Sequence, residues 1–147
     1  MRRRAARIFH NGVPLLGTSS AAGPKHCLFQ AVAHVGESTG LVPIRARSFE
    51  AWSWLSAACR SRGFAAVWQR GPKVVDVKGA TAAIFDGTDL GPDECDELQR
   101  MAAALQPAPV VALLSFPRID QERLARSCGA AVVLSKPVSV EDLLRAL

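Results

Sequence analysis

The stretch Ser127-Cys128-Gly129-Ala130-Ala131-Val132-Val133-Leu134-Ser135-Lys136-Pro137 does most to limit what this chain can fold into. A short apolar run, Ala130 to Leu134, is delivered by a glycine and stopped by Lys-Pro. A run this short, β-branched and bounded by Gly and Pro, reads as a buried strand and not as a helix. The proline fixes the backbone after Lys136, makes a cis peptide bond accessible there, and aims the lysine from the carboxyl end of the strand. Open parallel sheets place their sites at that end.

The remaining composition permits one domain of modest size. The chain has 147 residues, and at 49% hydrophobic content it can fill a core. Tyrosine is absent and aromatics are few, so that core is built mainly from Ala, Val and Leu. No run approaches the roughly 18 apolar residues that a membrane helix requires, so a soluble, cytoplasmic protein is expected. Charge is uneven: residues 1–78 hold twelve Lys/Arg against three Asp/Glu, and residues 79–147 hold six against ten. The basic first half suits an anionic partner such as nucleic acid. No helix-turn-helix, RNP or zinc-finger pattern accompanies it, and Arg2, Arg3, Arg4 and Arg7 read as a solvated tail. Cys27, Cys59, Cys95 and Cys128 lack metal-ligand spacing, which argues against zinc. Cys59 and Cys128 read as small core residues, and nothing in the pattern demands an oxidising compartment.

Residues 1–39 read as a poorly structured lead-in, punctuated by Asn11-Gly12, Pro14, Gly17 and Gly23-Pro24. Within it, Leu28 to Val35 is apolar enough to pack on the domain that follows. From Gly40 the pattern is regular. Strands are expected at Leu41–Ala46, Phe64–Trp68, Thr81–Phe85, Val110–Leu114 and Ala131–Leu134. Helices are expected after the N-cap Ser48 up to Gly63, and over Asp93–Leu105, Asp120–Ser127 and Val140–Leu147. Pro72 to Lys78 is a short connection. Alternating strands and helices predict a doubly wound parallel sheet over residues 40–147. Trp52 and Trp54, two apart, cannot share a helix face, so one belongs to the core and the other to the surface. Val133 is expected in a central strand, with Lys136 solvated at the site rim.

Asp86 ends the apolar run Ala82-Ala83-Ile84-Phe85 and lies fifty residues before Lys136. On its own, Asp86-Gly87 is an ordinary turn signal. Together with the Gly-Ala…Lys-Pro end, the pair resembles the response-regulator receiver (CheY-like) family. That resemblance covers residues 40–147, is strong from Thr81 onward and weak before Gly63. It implies an α/β fold: a doubly wound five-stranded parallel sheet in a flavodoxin/receiver-like three-layer sandwich. Asp86 then holds the phosphoacceptor position, where a carboxylate oxygen attacks phosphorus, and Lys136 the phosphoryl-contact position, neutralising developing charge.

Four departures set this chain apart from the family's pattern. The acidic pair that binds Mg²⁺ at the end of the first strand is replaced by Ile44-Arg45-Ala46-Arg47-Ser48, so Mg²⁺ binding is doubtful and no cofactor is expected. Asp89 is the one further acid in the loop. The switch Thr/Ser position falls on Leu114, and Ser115 substitutes only if a bulge shifts the strand. Leu90 stands where the family's loop has a proline. The second helix, between Val74 and Gly79, is shortened. The reading that follows is a degenerate or pseudo-receiver: a bacterial signalling module without enzymatic turnover, acting through a protein partner. Dimerisation through residues 109–147 is what the family resemblance implies. The alternatives are a working phosphorelay receiver phosphorylated at Asp86, and a nucleic-acid or anionic-partner binder using the basic first half.

Overall fold

A computed structural model describes residues 40–71 and 77–147. Expectations for the lead-in 1–39, and for most of the shortened second helix, lie outside the described residues. The elements are β1 (Gly40–Arg45), α1 (Phe49–Ser61), β2 (Phe64–Trp68), β3 (Ala83–Asp86), α2 (Pro92–Ala104), β4 (Val110–Ser115), α3 (Ile119–Ser127), β5 (Ala130–Lys136) and α4 (Val140–Ala146). All five strands are parallel, in the order β2-β1-β3-β4-β5. Between β2 and β3 the described residues carry no helix.

Local chemistry sets the boundaries. Ser48 caps α1 by accepting from the Ala51 amide, and Glu50 sits in the first turn. Its own backbone amide, and then Ser48, hold the Glu50 carboxyl below the usual range. Gly63 ends the helix with φ of 81°. Pro92 opens α2 at the position where a missing N–H costs nothing. The third strand begins later than expected, at Ala83. Thr81 gives its amide to the Leu41 carbonyl, and Ala80 forms only an isolated bridge to Leu41. Pro43 lies just before the β1–β3 ladder, which starts at Ile44, and has no N–H to contribute to it.

The sheet separates two apolar layers. Leu55, Ala58 and Cys59 of α1 and Leu143 of α4 pack on Val42, Ile44, Ile84, Val111 and Leu113. On the other face Leu98 and Met101 of α2 and Ala125 of α3 pack on Ala83, Phe85, Ala112 and Leu114. This is the three-layer sandwich that the family resemblance implied. Trp52 stacks on Trp68 at 5.4 Å and 7°, while Trp54 stays 41% exposed.

Two expectations are corrected here. The strand containing Val133 lies at the sheet edge, so Val133 is only partly buried. Cys128 is buried, yet it is more than a core filler: a disulfide joins it to Cys95, with Cα atoms 5.8 Å apart. Both φ and space favour glycine before β5. Gly129 has φ of 102°, and a Cβ there would run into the Ala102 side chain.

Candidate functional site

Strand order reverses between β1 and β3, and the carboxyl ends of these two strands converge there. This is the switch point at which open α/β sheets form clefts. Asp86 closes β3, 7% exposed. Lys136 closes β5 and reaches across, its Nζ donating to Asp86 Oδ1 at 2.8 Å and to the Gly87 carbonyl. The peptide bond to Pro137 is cis. The second carboxylate oxygen of Asp86 accepts from the Arg47 amide at 3.3 Å. The two residues singled out from the sequence are thus in direct contact, a carboxylate with an ammonium at its side.

The end of β1 contributes cations. Arg45 donates to Glu97, and Arg47 Nη1 lies 2.8 Å from Glu94 Oε1 and 2.8 Å from Thr88 Oγ1. Glu94 also accepts from the amides of Thr88 at 3.1 Å and Leu90 at 2.9 Å, so it fixes the β3–α2 loop while holding Arg47. Arg45, Arg47, Phe85, Asp86, Glu94 and Glu97 line a cleft of about 300 Å³. Sequence reasoning missed Glu94 and Glu97. Their signal was available: they are one turn apart on a helix, opposite two arginines that alternate along a strand end.

This donor set does not fit Mg²⁺. Mg²⁺ wants one or two free carboxylates within a shell of oxygens. Here Asp86 is engaged by Lys136, and Glu94 and Glu97 by arginines. Among the described residues no group of three or more His, Cys, Asp or Glu could hold a metal. Asp89 points to other duties. Its side chain accepts from Thr88 Oγ1, and its carbonyl accepts from Gln121 of α3.

Ser115 is the last residue of β4, exposed, in register with Lys136, and its amide donates to the Thr88 carbonyl. Leu114 is fully buried in the α2–α3 layer. A register shift does occur between β4 and β5, but at Val110/Val111, at the far end of the pair. Leu90 is buried with φ of 56°, a value closed to proline, so the loop cannot have the conformation that the family's proline sets. The basic residues Arg2, Arg3, Arg4 and Arg7 lie outside the described residues.

No protein-family model matches the chain, and no curated protein matches it by sequence. Solved structures do. A response regulator from Thermotoga maritima is similar with TM-score 0.57 and 16% identity, covering 73% of this chain and 92% of that one. This chain has the receiver fold. A CheY-like protein (tadZ) from Pseudomonas aeruginosa shares it with TM-score 0.59 and 16% identity, over 72% of this chain and 94% of that one. So does a protein from Burkholderia pseudomallei described as pilus assembly-related, with TM-score 0.64 and 13% identity, over 76% and 91%. On this fold Asp86 and Lys136 stand at the carboxyl ends of β3 and β5. No helix among the described residues is long and apolar enough to cross a membrane.

Proposed function

We propose that this chain is a pseudo-receiver: a cytoplasmic bacterial signalling module that keeps the receiver scaffold and works by protein contact without phosphoryl turnover. One observation carries the reading. The acids lining the cleft beside Asp86 are taken up by the Arg45–Glu97 and Arg47–Glu94 pairs. An incoming phosphoryl group would find no carboxylate beside Asp86 free to hold a metal. The fixed ion pairs do what a metal-bound acidic cluster does elsewhere: they tie strand end, loop and helix into one arrangement. The likeness to a protein described as pilus assembly-related makes a component of a larger protein assembly the favoured partner class.

The competing reading, a working phosphorelay receiver, rests on the 2.8 Å Lys136–Asp86 contact. Incubation with Mg²⁺ and acetyl phosphate, followed by intact mass measurement, separates the two. Unchanged mass, with amide NMR shifts unmoved by Mg²⁺ and beryllofluoride, is the expected result. Stoichiometric acyl phosphate on Asp86, lost in Asp86→Asn, would overturn the pseudo-receiver reading.

A further inference from the structure

The face of the sheet opposite α1 holds the pair Cys95 and Cys128. The apolar layer around them is complete without a covalent link. Leu98, Met101, Leu114, Ala125 and Phe85 are all essentially buried, and Cys95 and Cys128 pack against them. Free cysteine behaves as a small apolar residue, so a layer of this kind also suits two thiols. The pair joins the first turns of α2 to the C-cap of α3, across 33 residues that include the whole of β4.

What the link reaches is the site. Cys95 stands directly after Glu94 and two residues before Glu97. Glu94 holds the Thr88 and Leu90 amides and Arg47, and Glu97 holds Arg45. The first two turns of α2 are therefore the shared element: one side grips the loop after Asp86, the other carries the cysteine. The two sulfurs also differ in access. Cys128 is 2% exposed, whereas Cys95 is partly open to solvent. Cys59 is no competitor. It is fully buried in the opposite layer, and burial pushes its thiol up to about 11.

We infer that Cys95 and Cys128 form a reversible redox tie that tightens α2, and with it the Glu94 grip on the loop after Asp86. This regulation goes beyond the pseudo-receiver reading and stands whether or not Asp86 accepts phosphate. The oxidant is a low-molecular-weight disulfide. The Cys95 thiolate, having lost its proton to water, attacks one sulfur of that disulfide and expels a thiolate, leaving a mixed disulfide. Cys128 then attacks the Cys95 sulfur and expels the second thiolate. Two protein thiols are oxidised, one external disulfide is reduced to two thiols, and the protons balance. In a reducing cytosol such a pair rests as thiols and closes when the poise rises, the usual role of intracellular disulfides.

The test uses the full chain equilibrated in oxidised and in reduced glutathione, quenched with N-ethylmaleimide and unfolded for intact mass. Of the four cysteines, Cys27 and Cys59 alone are expected to be alkylated after oxidation, and all four after reduction. Peptide mapping should show a Cys95–Cys128 link. Hydrogen exchange at the Thr88 and Leu90 amides should slow by about tenfold on oxidation, since a tie on α2 suppresses its local opening. Cys128→Ala, whose alanine suits the buried position, should abolish that response while keeping the receiver circular dichroism. If Cys128→Ala fails to fold, the wild-type exchange comparison decides alone. Linkage through Cys27, absence of any link, or exchange at Thr88 and Leu90 that ignores redox state would each overturn the inference.

Discussion

Replacing Lys136 by Ala removes the ammonium from a carboxylate that is itself only 8% exposed. At 2.8 Å the attraction is about 6 kcal/mol in an effective dielectric of about 20, before the loss of water around each ion is set against it. What remains after the substitution decides the cost. Asp86 keeps one long bond, from the Arg47 amide at 3.3 Å, and stays enclosed by the sheet. Stranding one member of a fully buried pair costs about 3–5 kcal/mol. Lys136 is 28% exposed, so water can enter where it was, and about 2–3 kcal/mol is expected. The reverse deletion, Asp86→Ala, strands the more accessible member, which still has the Gly87 carbonyl, and about 1 kcal/mol is expected. The double variant should recover about 1–2 kcal/mol relative to the sum of the single effects. Urea unfolding at neutral pH, followed by tryptophan fluorescence and far-UV circular dichroism, gives all three values. Costs that add within about 0.5 kcal/mol, or a larger loss for Asp86→Ala than for Lys136→Ala, would refute the reasoning.

Other expectations follow from single features. Gly129→Ala should destabilise by about 1–3 kcal/mol, since φ of 102° and the Ala102 side chain leave no room for a Cβ; thermal melting checks it. Cys59 should resist alkylation in the folded chain and react on unfolding. Because burial raises its thiol from 9.0 to about 11, the folded state holds that proton longer. Its stabilising contribution is therefore complete below pH 9 and is lost as pH rises toward 11, a slope that Cys59→Ala should remove from urea titrations. Deletion of residues 1–27 should leave cooperative unfolding intact, as judged by circular dichroism and size-exclusion chromatography, because Gly, Pro and Ser punctuate them and no periodic apolar face runs through them.

The fold was legible because its signals are local. Ser48, Gly63 and Gly129 punctuate the chain where elements change, and short apolar runs supply the strands. Asp86 and Lys136 were legible as a pair through the family resemblance, which puts both at carboxyl strand ends. Edge or centre was not legible for β5, since Val132 to Leu134 looks the same in either place and only strand order decides. Glu94 and Glu97 escaped for a related reason. Glu94 lies in the first turn of α2, where the helix dipole already explains an acid, so its spacing with Glu97 opposite Arg45 and Arg47 was easy to pass over. The Cys95–Cys128 link was hidden by 33 residues of separation and by the apolar setting of Cys128.

The arginine–glutamate pairs also bear on what this site could become. An acid introduced at position 45 would face Glu97, and one at position 47 would face Glu94, both at ion-pair distance across the cleft. Like charges at that range repel, so neither single reversal gains a metal ligand without weakening the attachment of α2. The benefit of each change depends on changes not yet made at the facing helix. Placing a metal-binding acid in this cleft therefore calls for coordinated changes on the strand end and on α2, since either alone sets like charges against each other.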